Sequence, residues 1–280
     1  MHTIIGLAPQ IERRGSGATV KGITQANLGA LEIPLPPLAE QKRIAGILDA
    51  ADALRAKRRE ALAQLDTLLQ STFLTLFGDP VTNPMGWEQD CLSSLVRPGD
   101  KINYGVVQPG DDLPQGKPLI RVGDFVSGEL SLKKVKYIDP EIDAKYVRSR
   151  LVGDELLVSC VGSIGTVCKV TPQAKGANIA RAVARVPLKM EVDRDYMLFC
   201  LRSQAVQNYF LKETRTVSQP TLNISLIKSA PVILPPLALQ QQFATIVELV
   251  ERQKERMRAH LAELDALFAS LQDRAFKGEL

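Results

Sequence analysis

The chain has 280 residues, 45% of them hydrophobic and 24% charged, with a formal net charge of +4. That balance suits a folded protein of one large or two modest domains and excludes wholesale disorder. No apolar run reaches the roughly 18–20 residues of a membrane helix, and the start, Met1-His2-Thr3-Ile4-Ile5-Gly6, lacks a basic leader with an apolar core, so a soluble cytoplasmic protein is expected.

In chain order, residues 1–32 lead into Ile33-Pro-Leu-Pro-Pro-Leu-Ala-Glu-Gln41, and this nine-residue pattern returns as Val232-Ile-Leu-Pro-Pro-Leu-Ala-Leu-Gln240, an offset of 199 (33 to 232). Internal repetition of this kind points to duplicated structural units. Each Pro-Pro is followed by a Pro-free stretch rich in Ala, Leu, Glu, Arg and Gln, all strong helix formers. Proline just ahead of a helix is well placed. The predicted helices run from about Ala39 to Phe77 and from about Ala238 to Phe276.

Both helices show a 3-4 apolar spacing in the same register. The second reads Phe243, Val247, Val250, Lys254, Met257, Leu261, Leu264, Phe268, Leu271 and Ala275; the first reads Ile44, Leu48, Ala51, Arg55, Arg58, Leu62, Leu65, Leu69, Thr72 and Leu76. Sustained spacing of this type marks a coiled-coil seam, with a basic break at Arg55 and Lys254. Two ordinary amphipathic helices lying on a core are the other reading of the same pattern.

Between the helices the texture changes. Short β-branched runs at Lys117–Val122, Leu156–Val161, Thr166–Val170 and Arg181–Val186 are separated by turn signals such as Pro109-Gly110-Asp111-Asp112 and Val152-Gly153-Asp154, and Tyr196–Leu211 reads as a helix. A mixed α/β domain is expected here. From Lys145 to Lys189 there are eight basic residues (Lys145, Arg148, Arg150, Lys169, Lys175, Arg181, Arg185, Lys189) against the two acids Asp154 and Glu155. Such a local excess suits a phosphate backbone.

Several chemistries are excluded. The four cysteines, Cys91, Cys160, Cys168 and Cys200, form no CxxC pair and read as reduced, buried thiols. The two histidines, His2 and His260, offer no His-centred triad or metal site. Asn83-Pro84-Met85-Gly86 lacks the second proline and aromatic of a methyltransferase motif and reads as a domain-entry turn. Asp111-Asp112 and Asp154-Glu155 are adjacent pairs, which point to opposite faces of a strand and read as turns rather than a magnesium site.

The duplicated Leu-Pro-Pro-Leu-Ala-x-Gln, Asn83-Pro84-x-Gly86-Trp87, Gly153-Asp154-x-Leu156-Leu157 followed by Gly162-Ser163-Ile164-Gly165, and Ser218-Gln219-Pro220-Thr221-Leu222 together resemble the specificity (S, HsdS) subunit of type I restriction-modification systems. The resemblance spans nearly the whole chain. It implies an α+β fold, a globular target-recognition domain flanked by two long helices that form an antiparallel coiled coil. Its parts would be 1–32, the end of a first recognition domain; 33–78, the first long helix; 79–232, the recognition domain; and 233–280, the second long helix. Members usually carry two complete recognition domains, so this sequence resembles a short form. The implied partners are double-stranded DNA, a DNA methyltransferase (M) subunit, a restriction (R) subunit and a second copy of the chain through the long helices, without any membrane. No catalytic residue, metal or cofactor is expected on the chain itself, S-adenosylmethionine and ATP binding to partner subunits. A coiled-coil interaction scaffold without DNA specificity is the alternative.

DNA contacts divide into phosphate positioning and base reading. Lys145, Arg148, Arg150, Lys169, Lys175 and Arg185 are candidates for positioning, each equally readable as a solvated surface charge. Candidate readers lie in four places: Lys101, Asn103 and Tyr104 in a polar loop; Arg121 after a short strand; Asn178 and Arg181 between a glycine turn and a strand; and Arg215, Ser218 and Gln219 before Pro220. Ser163 lies in a glycine-flanked turn that either brings backbone amides to a phosphate or simply closes a hairpin.

Overall fold

The structure, a computed structural model, describes residues 11–13, 22–31, 35–126, 128–214 and 221–280. Its elements in order are α1 (Gln25–Gly29), α2 (Leu38–Phe77), β1 (Glu88–Cys91), β2 (Asn103–Tyr104), β3 (Lys117–Ile120), β4 (Phe125–Val126), β5 (Glu129–Leu130), β6 (Lys136–Ile138), α3 (Pro140–Ala144), β7 (Leu156–Ser159), β8 (Val167–Lys169), β9 (Asn178–Ile179), β10 (Val183–Val186), α4 (Arg194–Arg202), α5 (Gln204–Thr214), α6 (Ile224–Lys228), β11 (Pro231–Leu234) and α7 (Leu237–Lys277). The long helices α2 and α7 have 40 and 41 residues, about 60 Å each at 1.5 Å per residue. No helix among the described residues is long and apolar enough to cross a membrane.

The repeated Pro-Pro-Leu-Ala-x-Gln starts both helices by the same device. The Gln41 side-chain amide donates to the carbonyl of Pro36 (2.7 Å), and that of Gln240 to the carbonyl of Pro235 (2.8 Å). Each amide satisfies a carbonyl just upstream of a helix entrance, where proline offers no N–H of its own. Gln240 also accepts from the backbone N–H of Asp193 (2.9 Å), which N-caps α4.

Two compact units are present, Met1–Thr67 with Val250–Leu280, and Leu68–Leu249. The second therefore takes in the last turns of α2 and the first turns of α7, beyond the expected 79–232.

In the first unit α2 and α7 run antiparallel around Leu48, Ala51, Phe268 and Ala275, with Ile44 and Leu271 packed beside them. The basic breaks in the seam are filled by ion pairs across it: Arg55 with Asp265 (2.6 Å) and Lys254 with Asp66 (2.7 Å). The Arg55 guanidinium also lies 4.3 Å from the centre of the Phe268 ring. Lys254 and Asp265 are the repeat equivalents of Arg55 and Asp66, so one cation–carboxylate pair is made twice about a pseudo-two-fold axis.

In the second unit the order β2-β10-β7-β8 forms a four-stranded antiparallel sheet, and β6-β3-β9 a three-stranded one in which β3 and β9 are parallel. Ile120, Leu151, Leu157, Val170, Ile179 and Val183 fill the core between them. The pair β1–β11 joins the segment after α2 to the segment before α7. Strand β1, Glu-Gln-Asp-Cys, was not predicted, because its sequence has no strand preference and its pairing comes from β11.

The seam changes register at the end of α2. Thr72 and Leu76 are only half-buried, whereas Phe73 and Phe77 are buried. These two rings join Tyr196, Phe199 and Phe243 in an aromatic cluster with centroid separations such as 4.8 Å for Phe77–Tyr196 and 5.1 Å for Phe199–Phe243. At Gly78 (φ +75°) the helix stops, and the Trp87 indole donates to the carbonyl of Phe77 (2.9 Å). Asn83 brackets Trp87, donating to its carbonyl (2.7 Å) and accepting from its N–H (2.9 Å). Asn-Pro-x-Gly-Trp is thus a helix stop and domain-entry turn. The predicted helix Tyr196–Leu211 is two helices, broken where Ser203 adopts an extended ψ of 146°.

Candidate nucleic-acid interface

The strand registers bring sequence-remote candidates to one end of the four-stranded sheet. Strand β10 enters there after Arg181, β2 leaves after Tyr104, and β7 leaves into the Gly162–Gly165 turn. Backbone bonds hold the segments together: Cys160 N–H to Ala182 O (2.8 Å), Val106 N–H to Ile179 O (2.7 Å), Arg181 N–H to Val106 O (2.8 Å) and Leu222 N–H to Cys160 O (2.9 Å). Arg121 joins them because β3 runs parallel to β9, with Ala180 N–H donating to Ile120 O (2.9 Å). Tyr104, Arg121, Ser163 and Arg181 therefore share one edge of the domain.

Their side chains are committed to different degrees. Tyr104 donates through its phenol to Leu222 O (3.1 Å), tying the start of the 221–222 segment to β2. Burial holds that phenol above its ordinary pKa, against the pull of the nearby Arg181 charge. The Arg181 side chain is exposed and makes no hydrogen bond or ion pair among the described residues. Arg121 donates to Lys134 O (2.8 Å) and lies 3.5 Å from Asp124. Its Nε is buried with no partner among the described residues. Ser163 is exposed, and its carbonyl accepts from Ser159 and Thr166. The glycine-flanked turn between β7 and β8 is therefore a hairpin turn, with Gly162 and Gly165 at positive φ.

Gly105 is what allows this convergence. A Cβ there would sit 1.7 Å from the Ile179 carbonyl oxygen, so only glycine admits the close backbone approach.

Other candidates lie elsewhere or inside. Asn178 was expected on an exposed loop; it is 0% exposed. Its amide donates to Asp143 (2.8 Å) and Tyr146 O (3.1 Å), and its carbonyl oxygen accepts from Ser149 (2.6 Å) and Ile179 N–H (2.9 Å). With every polar bond directed inward it is a core strut, not a base reader. Arg185 is corrected likewise: at 3% exposure it is ion-paired to Glu155 (3.0 Å) and Asp100. Arg150 pairs with Asp143 (2.5 Å) and Lys169 with Asp195 (2.5 Å), so both charges are met by the protein. Asn103 is half-buried, donating to Tyr104 O and facing Arg185. Lys101, Lys145, Arg148 and Lys175 are exposed, Lys101 and Lys175 lying toward the opposite end of the sheet, by Asp100 and Gly153. Arg215, Ser218 and Gln219 lie outside the described residues. Val107 and Val161, 50% and 37% exposed, also lie on this edge; Val161 entered the sequence reading only as the end of a β-branched run, and nothing there marks Val107.

The acidic pairs serve structure. Asp154 is paired to Arg97 (2.5 Å), while Glu155 accepts from the N–H groups of Val152, Gly153 and Asp154. Asp112 accepts from Tyr137 N–H (2.8 Å).

A second surface lies on the helix pair. A groove of about 630 Å³ has an apolar floor of Leu54, Ala61, Leu264 and Leu267, with Arg58 and His260, 3.4 Å apart, on its rim. Ala61 and His260 are repeat equivalents, so the groove lies at the pseudo-two-fold axis of the pair.

The family model for the type I restriction modification DNA specificity domain matches residues 5–64 and 103–266. The chain is 31% identical, over its whole length, to the EcoBI type I restriction enzyme specificity subunit of Escherichia coli, spanning 65% of that protein. It is 23% identical over 97% of its length to the EcoKI specificity subunit of E. coli K12, spanning 62% of it. It thus spans less than two thirds of these relatives. Among solved structures, the S subunit of a type I system from M. genitalium superposes with a TM-score of 0.60 at 16% identity, covering 98% of this chain and 71% of that one. A chain from a type I restriction-modification complex gives 0.62 at 22% identity, covering 100% and 69%. These last two likenesses establish the fold, long helices included.

Proposed function

The chain belongs to the type I restriction-modification DNA specificity domain family, and from that premise we propose that it is a DNA-recognition subunit which delivers a methyltransferase to a chosen sequence. The mixed domain reads part of the target, and the helix pair seats a DNA methyltransferase (M) subunit, with a restriction (R) subunit as a further member of the assembly. The carrying observation is the edge at which Tyr104, Arg121, Ser163 and Arg181 converge, with the Arg181 guanidinium exposed. Arginine on an exposed edge is the side chain best suited to bidentate contact with guanine or phosphate. The apolar floor of the groove at Leu54 and Leu267 suits a helix of the methyltransferase.

In this reading the chain supplies recognition and no catalytic residue. The engagement of Asp154 and Glu155 in ion pairs and turn bonds supports that view. S-adenosylmethionine and ATP then bind partner subunits. A second copy of the chain is a further partner in this reading. Co-expression with a DNA methyltransferase subunit, followed by genome-wide mapping of methylated adenines, tests the proposal. A single sequence methylated only when this chain is present is expected, and a palindromic split site would mark two copies. Methylation that is absent, or unchanged without the chain, refutes it and favours an interaction scaffold.

A further inference from the structure

Arg181 stands between two exposed β-branched side chains. Ser159 pairs with Val183 at the end of the β7–β10 register, and Cys160 N–H bonds Ala182 O just beyond it, so Val161, in the bend after β7, and Arg181, in the turn before β10, each adjoin a residue of that bond. On the other side Arg181 N–H bonds Val106 O, which makes Val107 its neighbour. Both valines are exposed, as Val81, Val126, Val147 and Val152 are elsewhere in the unit; what sets this pair apart is that the two flank one exposed arginine. The backbone beside all three is held by these bonds and by the close approach at Gly105. An isolated surface charge has no need of such a frame. A side chain that must meet a planar acceptor pair in one orientation does, because base reading requires a pre-set geometry.

We propose that Arg181, with Val161 and Val107 beside it, reads a guanine adjacent to a thymine in the major groove. Guanine shows two acceptors there, O6 and N7, which the guanidinium fork matches; thymine shows a methyl group, the one apolar feature of a base edge, which a valine covers. Arg121 and Ser163 lie on the same edge. The inference rests on the reading of the chain as a DNA-recognition subunit and names the base step that it recognises.

The test uses the full chain with its methyltransferase subunits. A pool of randomised duplexes yields the preferred sequence. That duplex is then remade with 7-deazaguanine at each guanine in turn, which deletes N7, and with uracil at each thymine, which deletes the methyl. One guanine is expected at which 7-deazaguanine weakens binding about tenfold, and an adjacent thymine at which uracil weakens it about threefold. Arg181→Ala and Arg181→Lys should both abolish the guanine effect, the lysine variant retaining the charge but not the fork. Val161→Ala combined with Val107→Ala should abolish the uracil effect alone. A guanine penalty unchanged in both Arg181 variants, or a uracil penalty unchanged in the double valine variant, overturns the inference and leaves the recognition function standing, since a sequence was selected. A pool that yields no preferred sequence overturns both.

Discussion

At the scale of single residues, charge type alone did not separate outward-facing groups from structural ones. Asn178, Arg185 and Arg181 lie within one stretch of eight residues, yet the first two are interior and the third exposed. Asn178→Ala would remove one bond each from the buried Asp143 carboxylate and Ser149 hydroxyl, which keep Arg150 and Tyr146 O, so a loss of about 2 kcal/mol is expected in urea denaturation. Sequence preference in methylation mapping should stay unchanged in whatever fraction remains folded. Lys175→Ala, at the end of the sheet away from the Arg181 edge, should by contrast move neither stability nor affinity, as measured by titration against specific and random DNA. The buried thiols give a pH signature. Burial pushes Cys160, Cys168 and Cys200 up to about 12. Below the ordinary thiol range near ~8.5 they are neutral whether folded or unfolded; above it only the unfolded chain ionises them. Urea midpoints should therefore hold from pH 6 to 8 and fall from pH 8.5 towards 10, less steeply in Cys200→Ala. A flat profile over that window would refute the assignment.

At the scale of elements, the repeat explains both the helix starts and the seam. The glutamine of Leu-Pro-Pro-Leu-Ala-x-Gln caps its own proline segment in each copy, which a sequence comparison cannot reveal. In the seam, Lys254 is 5% exposed and paired with the half-exposed Asp66. Lys254→Asp places a third carboxylate beside Asp66 and Glu251 and should cost about 2 kcal/mol, lowering the midpoint of thermal unfolding; adding Asp66→Lys should recover most of the loss, and a double variant no better than the single would show that the pair is not coupled. The periodicity gave the helix limits to within a residue, because the pattern and the flanking prolines act locally. It missed the handover from Thr72 and Leu76 to Phe73 and Phe77, because that shift is imposed by Tyr196 and Phe243, far away in sequence.

At the scale of the whole molecule, the recognition reading carries an electrostatic consequence. If several phosphates are neutralised, affinity for DNA should fall steeply between about 50 and 200 mM salt, by ~10³-fold for six or more contacts; a flat response would favour the scaffold. Pairing of two copies predicts twice the chain mass by light scattering without methyltransferase subunits. A single-chain mass would count against it.

The order of the sequence by itself determined the family, the two rods and their shared register, and the mixed domain between them, because repeats, proline punctuation and apolar spacing are local quantities that survive without coordinates. Which basic residues face outward was settled only by tertiary structure. Strand register carries Tyr104, Arg121, Ser163 and Arg181 to one edge and folds Asn178 and Arg185 inward. Burial and pairing depend on neighbours contributed by distant segments, and no stretch of sequence contains its own environment.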